Sequence, residues 1–340
     1  MRAVRIHEDG GPEVLRYEEA PVPTAGPGEA LIAVHAASLN HLDVWIRKGL
    51  PSVPKPRITG ADGAGVVAAL GEGAGATGAG GGGSTLAVGR RVVIDPSIAG
   101  AGGSVRVPGE SFDGTHAQLV AIPARNVHPL PDHLSFETAA AFPLVFVAAH
   151  RMLVTKARLQ PGETCFIWGI GSGVSTAALA IARALGARTI VTSSSPEKLA
   201  RARELGADGT IDHAREDVRA RVRELTGGEG CQVVVDHVGA DTWKTTVEVA
   251  ARGARVVVCG ATSGPNPPAA LHRIWWKELS VHGSTMGAAE DFSACLDLVA
   301  SGRATPVIDR VYPLAAMRAA HERLEAGAQL GKIVLAVPQP

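Results

Sequence analysis

The sequence predicts an α/β protein in two parts: a doubly wound parallel six-stranded sheet, and a half that reads as an irregular β-barrel. Three observations predict it. The stretch Thr164–Gly186 runs from a short apolar strand through a glycine turn into a helix with Val174, Ala177, Ala178, Ile181, Ala182 and Leu185 at helical spacing. Strands and helices of similar length then alternate as far as Cys259. Before residue 125, by contrast, short β runs are punctuated by Pro and Gly.

The chain of 340 residues is long enough for two domains. Lys plus Arg and Asp plus Glu each total 33, so the formal charge is zero and a nucleic-acid partner is not expected. No run of about 18 apolar residues predicts a membrane span. Residues 1–11 lack the apolar core of a secretory signal, which favours a cytoplasmic protein. Cys165, Cys231, Cys259 and Cys295 are far apart and read as buried free thiols, and their spacing marks no metal site.

The expected elements follow in order. Strands are read in Met1–Tyr17, at Glu29–Ala36, at Ala87–Ile94 and at Thr115–Ile122. Ser38–Leu50 carries Asn40, His41, Asp43 and Trp45 on a helical turn. It is either a capped surface helix with Trp45 packed inward or part of a substrate site. Glycines at 60, 63 and 65 point to close backbone packing. Gly71–Thr85 reads as a mobile surface loop, Asp95–Gly114 as a glycine-rich loop, and Ala139–Val154 as one apolar helix.

Gly169, Gly171, Ser172, Gly173 and Val174 open the helix after the first parallel strand. Glycines there let a backbone approach a pyrophosphate, and a helix N-terminus offers free N–H groups and a positive dipole end. Ser172 and Ser175 depart from a glycine-only pattern, and an ordinary strand-to-helix turn fits these residues alone. Further strands are read at Arg188–Thr192, Thr210–Ile211, Gln232–His237, Ala254–Cys259 and Leu279–Thr285. Helices are read at Pro196–Leu205, Asp217–Leu225, Asp241–Ala251, Ala289–Ser301 and Ala315–Ala326.

Taken together, SLNHLDVWIRKGLP, GADGAGVV, LQPGETCFIWGIGSGVS, SSSPEKLARARELGAD, VVVDHVGADTW, HGSTMG and GKIVL resemble the medium-chain dehydrogenase/reductase superfamily, in particular its zinc-free quinone oxidoreductase branch. The resemblance implies a GroES-like catalytic domain over 1–140, completed by 288–340, with a Rossmann domain over 141–287 and substrate in the cleft. It also implies a homodimer paired through the sixth parallel strands. Zinc-dependent relatives place ligands at the positions of Asn40, Ala61 and Leu144, a set here that does not suit zinc.

The cofactor implied is NADPH. After the second parallel strand the chain has Ser193 and Ser194, then Lys198, where an NAD enzyme usually places a carboxylate. Hydroxyls and a lysine suit a 2′-phosphate. The serines also suit a cap on the helix beginning near Pro196. By family position, His213 lies against the adenine and His237 near the ribose. Gly260, Ala261, Thr285 and Met286 pass the nicotinamide, and Lys332 holds the cofactor near the domain junction. The reaction implied is direct hydride transfer to a quinone or α,β-unsaturated carbonyl, with Asn40 touching the nicotinamide or the acceptor carbonyl, Asp43 bracing the turn and Trp45 walling a planar acceptor. Water, ahead of His41, is the expected proton donor. Relatives often carry a tyrosine just beyond the RKGL segment and a threonine at Ala148, and this chain has neither. An ene reductase serving a single biosynthetic intermediate, and a non-catalytic NADPH-binding sensor or scaffold, are the alternatives.

Overall fold

The computed structural model describes residues 1–76 and 86–339. Of the expected mobile loop, 77–85 lies outside the described residues, while Ala74–Ala76 forms a single 3-10 turn. The chain forms two compact units, one of 1–144 with 306–340 and one of 145–305.

In the first unit the strand Glu29–Ser38 is the hub. It pairs antiparallel with Asp62–Leu70, with Leu119–Pro123 and with Lys332–Ala336. Arg91–Ile94 and Val127–Pro129 extend the sheet on one side, and Ile308–Pro313 extends it on the other. A three-stranded sheet of Leu15–Glu19, Arg2–Ile6 and Arg57–Ile58 completes the β structure. The hub alternates as its sequence demands: Ala30, Ile32, Val34 and Ala36 are buried, and the residues between them are half-buried. Ile32, Val34, Val92, Ile122, Ile333 and Leu335 share one core. Full burial of each such side chain contributes roughly 1.5–3 kcal/mol.

The second unit is a six-stranded, all-parallel sheet. Its spatial order is Gly209–Asp212, Arg188–Ser193, Thr164–Ile167, Cys231–Asp236, Ala250–Val258, Ser280–Gly283. Numbered along the chain, that order is 3-2-1-4-5-6, with the strand order reversing beside the first strand. Phe166, Ile190, Ile211, Val234 and Val256 build its core. Cys165, Cys231 and Cys295 are buried and Cys259 is half-buried; all four are free. Burial pushes the Cys231 and Cys259 thiols up to about 12, so they are protonated and unreactive.

The structure revises four expectations. The segment 288–305 belongs to the second unit, so the first unit is completed from 306. Helix Ala289–Ala300 buries Phe292 and Cys295, and its Asp291 accepts hydrogen bonds from His150 Nδ1 and Thr155 Oγ1, both at 2.8 Å. The single helix expected over 139–154 is broken into Phe136–Ala141, Pro143–His150 and a π-helical Arg151–Lys156. Pro143 has no N–H to continue the first piece but suits the start of the second. A small hairpin, Ile98–Ala99 with Val105–Arg106, interrupts the loop expected over 95–114. An unexpected helix, Leu271–Trp276, precedes the sixth parallel strand.

Candidate active site

Asn40 sits between the hub strand and the helix His41–Arg47, with extended backbone angles of φ −126° and ψ 158°. Its N–H donates to Asp43 Oδ2 at 2.8 Å, so Asp43 braces this turn. The other carboxylate oxygen of Asp43 accepts from the Gly60 N–H at 2.9 Å, tying the turn to the loop before Asp62. Burial pushes Asp43 up to about 7, against these N–H bonds and the Lys332 charge.

The carboxamide of Asn40 does not cap its helix. Nδ2 donates to Asp62 Oδ2 at 2.9 Å, and Oδ1 accepts from Lys332 Nζ at 2.5 Å. Lys332 Nζ also donates to Asp62 Oδ2 at 3.0 Å. Ser38 Oγ donates to Asp62 Oδ2 at 3.1 Å, and the Leu144 N–H donates to Oδ1 at 2.8 Å. Asp62 and Lys332 are sealed at 0% and 3% exposed, and Asn40 keeps 5% at the edge of the group. Lys332 therefore lies in the first unit, committed to Asn40 and Asp62.

Beneath the turn, Thr59 Oγ1 pairs with His116 Nδ1 at 2.9 Å. Burial lowers His116 to about 4. Burial, with His116 and Arg47 nearby, also holds His321 far below its usual value. Both imidazoles are neutral near neutral pH. His41 and Trp45 lie one helical turn apart, their ring centroids 6.4 Å apart, and both are exposed, Trp45 by 40%. Trp45 is not packed inward.

In the second unit the candidate binding residues gather at one end of the sheet. Gly169, Ser193, His213, His237, Gly260 and Thr285 lie at or within two residues of the carboxyl ends of the six parallel strands. Gly169 and Gly171 have φ of 60° and 148°, conformations that favour glycine. Ser172 caps the helix Gly173–Ala184, accepting from the Ser175 N–H at 3.0 Å. The first-turn N–H groups of Gly173 and Val174 precede the helical ladder. Ser175 replaces a glycine usefully, because its hydroxyl donates to Gly169 O and accepts from the Gly171 N–H. A Cβ on Gly171 would stand 2.9 Å from Lys198 Nζ, so that ammonium lies against the glycine turn.

Ser193 is buried, and its Oγ accepts from the Ser195 N–H at 3.1 Å; Ser194 is exposed. Ser195, rather than Ser193 or Ser194, caps the next helix. Its hydroxyl also donates to Glu197 at 2.7 Å, a carboxylate beside Lys198 that the sequence reading did not weigh. His237 Nε2 is 3.1 Å from Trp168 O, and burial lowers the ring. His213 is exposed, its ring tilted 6.2 Å from that of Trp168. Gly260, Ala261 and Met286 are half-buried and Thr285 is exposed; Met286 has φ 48°. At the far edge of the sheet, Ser280–Gly283 presents Val281 at 45% exposure beside Trp275 and Trp276, at 65% and 68%.

A parallel sheet in this strand order, with a glycine turn at its switch point and a separate β unit carrying a buried polar cluster, defines a two-part protein of the dinucleotide-binding class. Residues 26–132 match the family described as "Alcohol dehydrogenase GroES-like domain", and 173–301 match "Zinc-binding dehydrogenase". The chain is 34% identical to a quinone oxidoreductase of Pseudomonas aeruginosa, over 96% of each chain. It superposes on the crystal structure of an NAD-dependent alcohol dehydrogenase with a TM-score of 0.92 and 41% identity, covering 99% of this chain and 100% of that one. A mycobacterial structure complexed with NADPH is 31% identical, with a TM-score of 0.83 over 99% and 100%. The chain belongs to the medium-chain dehydrogenase/reductase superfamily, in its quinone oxidoreductase branch.

The zinc in the second family's name does not fit these residues. Asn40, Ala61 and Leu144 offer an amide, a methyl group and an alkyl chain, and the ammonium of Lys332 bonds the one amide oxygen. Among the described residues, no group of three His, Cys, Asp or Glu side chains is arranged to hold a metal ion.

Proposed function

We propose that this protein reduces quinones or α,β-unsaturated carbonyl compounds with NADPH, by hydride transfer that uses no metal. The reading is carried by the convergence of the candidate binding residues on the carboxyl ends of six parallel strands, with Lys198 against the glycine turn. The names of the quinone oxidoreductase relatives support the acceptor class. NADPH, when bound, supplies the hydride. The N–H groups of Gly173 and Val174 would hold the pyrophosphate, and Ser193, Ser194 and Lys198 would hold the 2′-phosphate. Asn40 donates from Nδ2 to the acceptor oxygen as negative charge moves onto it, Asp43 keeps the turn fixed, and Trp45 walls the acceptor. The proton that completes the product comes from water, or from His41 on the exposed helix face. Lys332 is reassigned from the cofactor to Asn40, because its ammonium is sealed beside Asp62.

A second reading, NADH, is favoured by Glu197 and by the NAD-dependent relative. The test is nicotinamide oxidation by purified, chelator-treated protein offered quinones and enones, with NADPH and NADH in parallel. Lys198→Ala is expected to raise KM for NADPH by about tenfold, the weight of one charge-assisted bond, and to change KM for NADH by less than about twofold. Equal use of both cofactors by the wild type would remove the phosphate-reading role. Hydroquinone or saturated ketone as product distinguishes quinone from enone reduction, and turnover of a single enone alone points to a pathway-specific ene reductase. NADPH binding without oxidation by any acceptor points to a sensor or scaffold.

We also propose a homodimer formed by pairing two copies of Ser280–Gly283, which would cover Val281, Trp275 and Trp276. Val281→Lys is then expected to convert a dimer to a monomer in sedimentation analysis. A wild-type monomer would rule the pairing out.

A further inference from the structure

We propose that Lys332 is a positioning residue that fixes which way round the Asn40 carboxamide stands. The inference rests on the reductase reading for its consequence and on the buried cluster for its geometry. A carboxamide can sit either way round in a pocket of its own shape, and its partners decide which end is which. Lysine only donates, and an ionised carboxylate only accepts. With Lys332 Nζ at 2.5 Å from one end of Asn40 and Asp62 Oδ2 at 2.9 Å from the other, one orientation satisfies both. The carbonyl oxygen faces Lys332, and the NH₂ group faces Asp62. The flipped amide would set NH₂ against an ammonium and an oxygen against a carboxylate.

The clamp is itself held. Lys332 and Asp62 are ion-paired at 3.0 Å, and Asp62 has further donors in Ser38 Oγ and the Leu144 N–H. Asp43 fixes the Asn40 backbone from the other side. One Nδ2 proton goes to Asp62, and the second is the one Asn40 presents to the acceptor oxygen. Removing the lysine leaves Asp62 alone to set the orientation and takes away the carbonyl's donor, so the preference weakens and a share of the molecules then present a carbonyl oxygen where charge develops. Lys332 acts through Asn40 and touches neither substrate nor cofactor in this scheme.

The chain has three asparagines, Asn40, Asn126 and Asn266, so asparagine-selective ¹⁵N labelling gives a side-chain NH₂ spectrum that single substitutions assign. Lys332→Met is expected to displace the Asn40 pair and to lower kcat by roughly 10- to 100-fold, less than the loss of the oxyanion donor itself because Asp62 still holds part of the population, with KM for NADPH changed less than about twofold. The double variant Asn40→Ala, Lys332→Met is expected to fall no lower than Asn40→Ala alone, the non-additivity of two residues acting as one. Lys332→Gln keeps a neutral N–H for Asn40 and is expected to retain more kcat than Lys332→Met; it carries the same measurements if the methionine variant does not fold. An unmoved Asn40 pair, or a double variant losing the product of the two single losses, would overturn the proposal. If the wild type oxidises no NADPH with any acceptor, the reductase reading fails while the amide spectrum still decides the orientation.

Discussion

Asn40→Ala is expected to lower kcat by about a hundredfold and to leave NADPH affinity within about threefold of wild type. Preorganised donors aimed at developing negative charge contribute on the order of 10²- to 10³-fold each, because the protein has already met the cost of ordering them. Asn40 fits that description. Its backbone is fixed by Asp43, its carboxamide by Asp62 and Lys332, and it is 5% exposed. Asn40→Asp is the sharper variant, since it keeps the shape, removes the donor and puts a second carboxylate beside Asp62. It is expected to lose at least as much kcat as the alanine. Steady-state kinetics separates the effect on kcat from that on KM, and titration of NADPH fluorescence reports binding alone. Either variant with kcat near wild type would remove Asn40 from the reacting centre.

The second unit was largely legible in the sequence because its signals are local. A strand, a glycine turn and a helix lie in 23 consecutive residues at Thr164–Gly186, and the structure keeps that order. The local signal also misled in one place. The periodicity of Ala289–Ser301 identified a helix correctly but said nothing of which unit it packs on, which is decided by Asp291 meeting residues 136 and 141 positions away. The first unit's cluster is the harder case. Asn40 and Asp43 stand out by residue type on one short turn, whereas nothing local marks Asp62 and the resemblance puts Lys332 on the cofactor instead. Lys332 is 292 residues from Asn40, and only the pairing of the hub strand with its two neighbours brings them together. Ser175 looked like a flaw in a glycine motif and proves to brace it, because a buried hydroxyl bonds two backbone groups of the same loop.

Gly65→Ala is expected to cost the protein about 3–5 kcal/mol and to lower its thermal midpoint by about 10 °C. A Cβ at Gly65 would lie 1.9 Å from the carbonyl oxygen of Ala33 and 3.0 Å from Val34 Cα. Both are backbone atoms, so no side chain can turn aside to make room. Gly65 pairs with Val34 where the register between Asp62–Leu70 and the hub strand is irregular, a place where one extra residue must be absorbed by close backbone approach. The consequence reaches the site, because the same two strands set Ser38 opposite Asp62 and so place Asp62 against Asn40. Folded Gly65→Ala protein is therefore expected to lose kcat more than NADPH affinity, as Asn40→Ala does. Gly75→Ala, where a Cβ meets nothing closer than 3.7 Å, is the matched control and is expected to shift stability by less than about 0.5 kcal/mol. Thermal unfolding of the three proteins checks the first expectation, and kinetics at a temperature where all are folded checks the second. A Gly65→Ala protein as stable and as active as wild type would show that the two strands need not approach this closely, and would detach the polar cluster from the sheet register that is argued to build it.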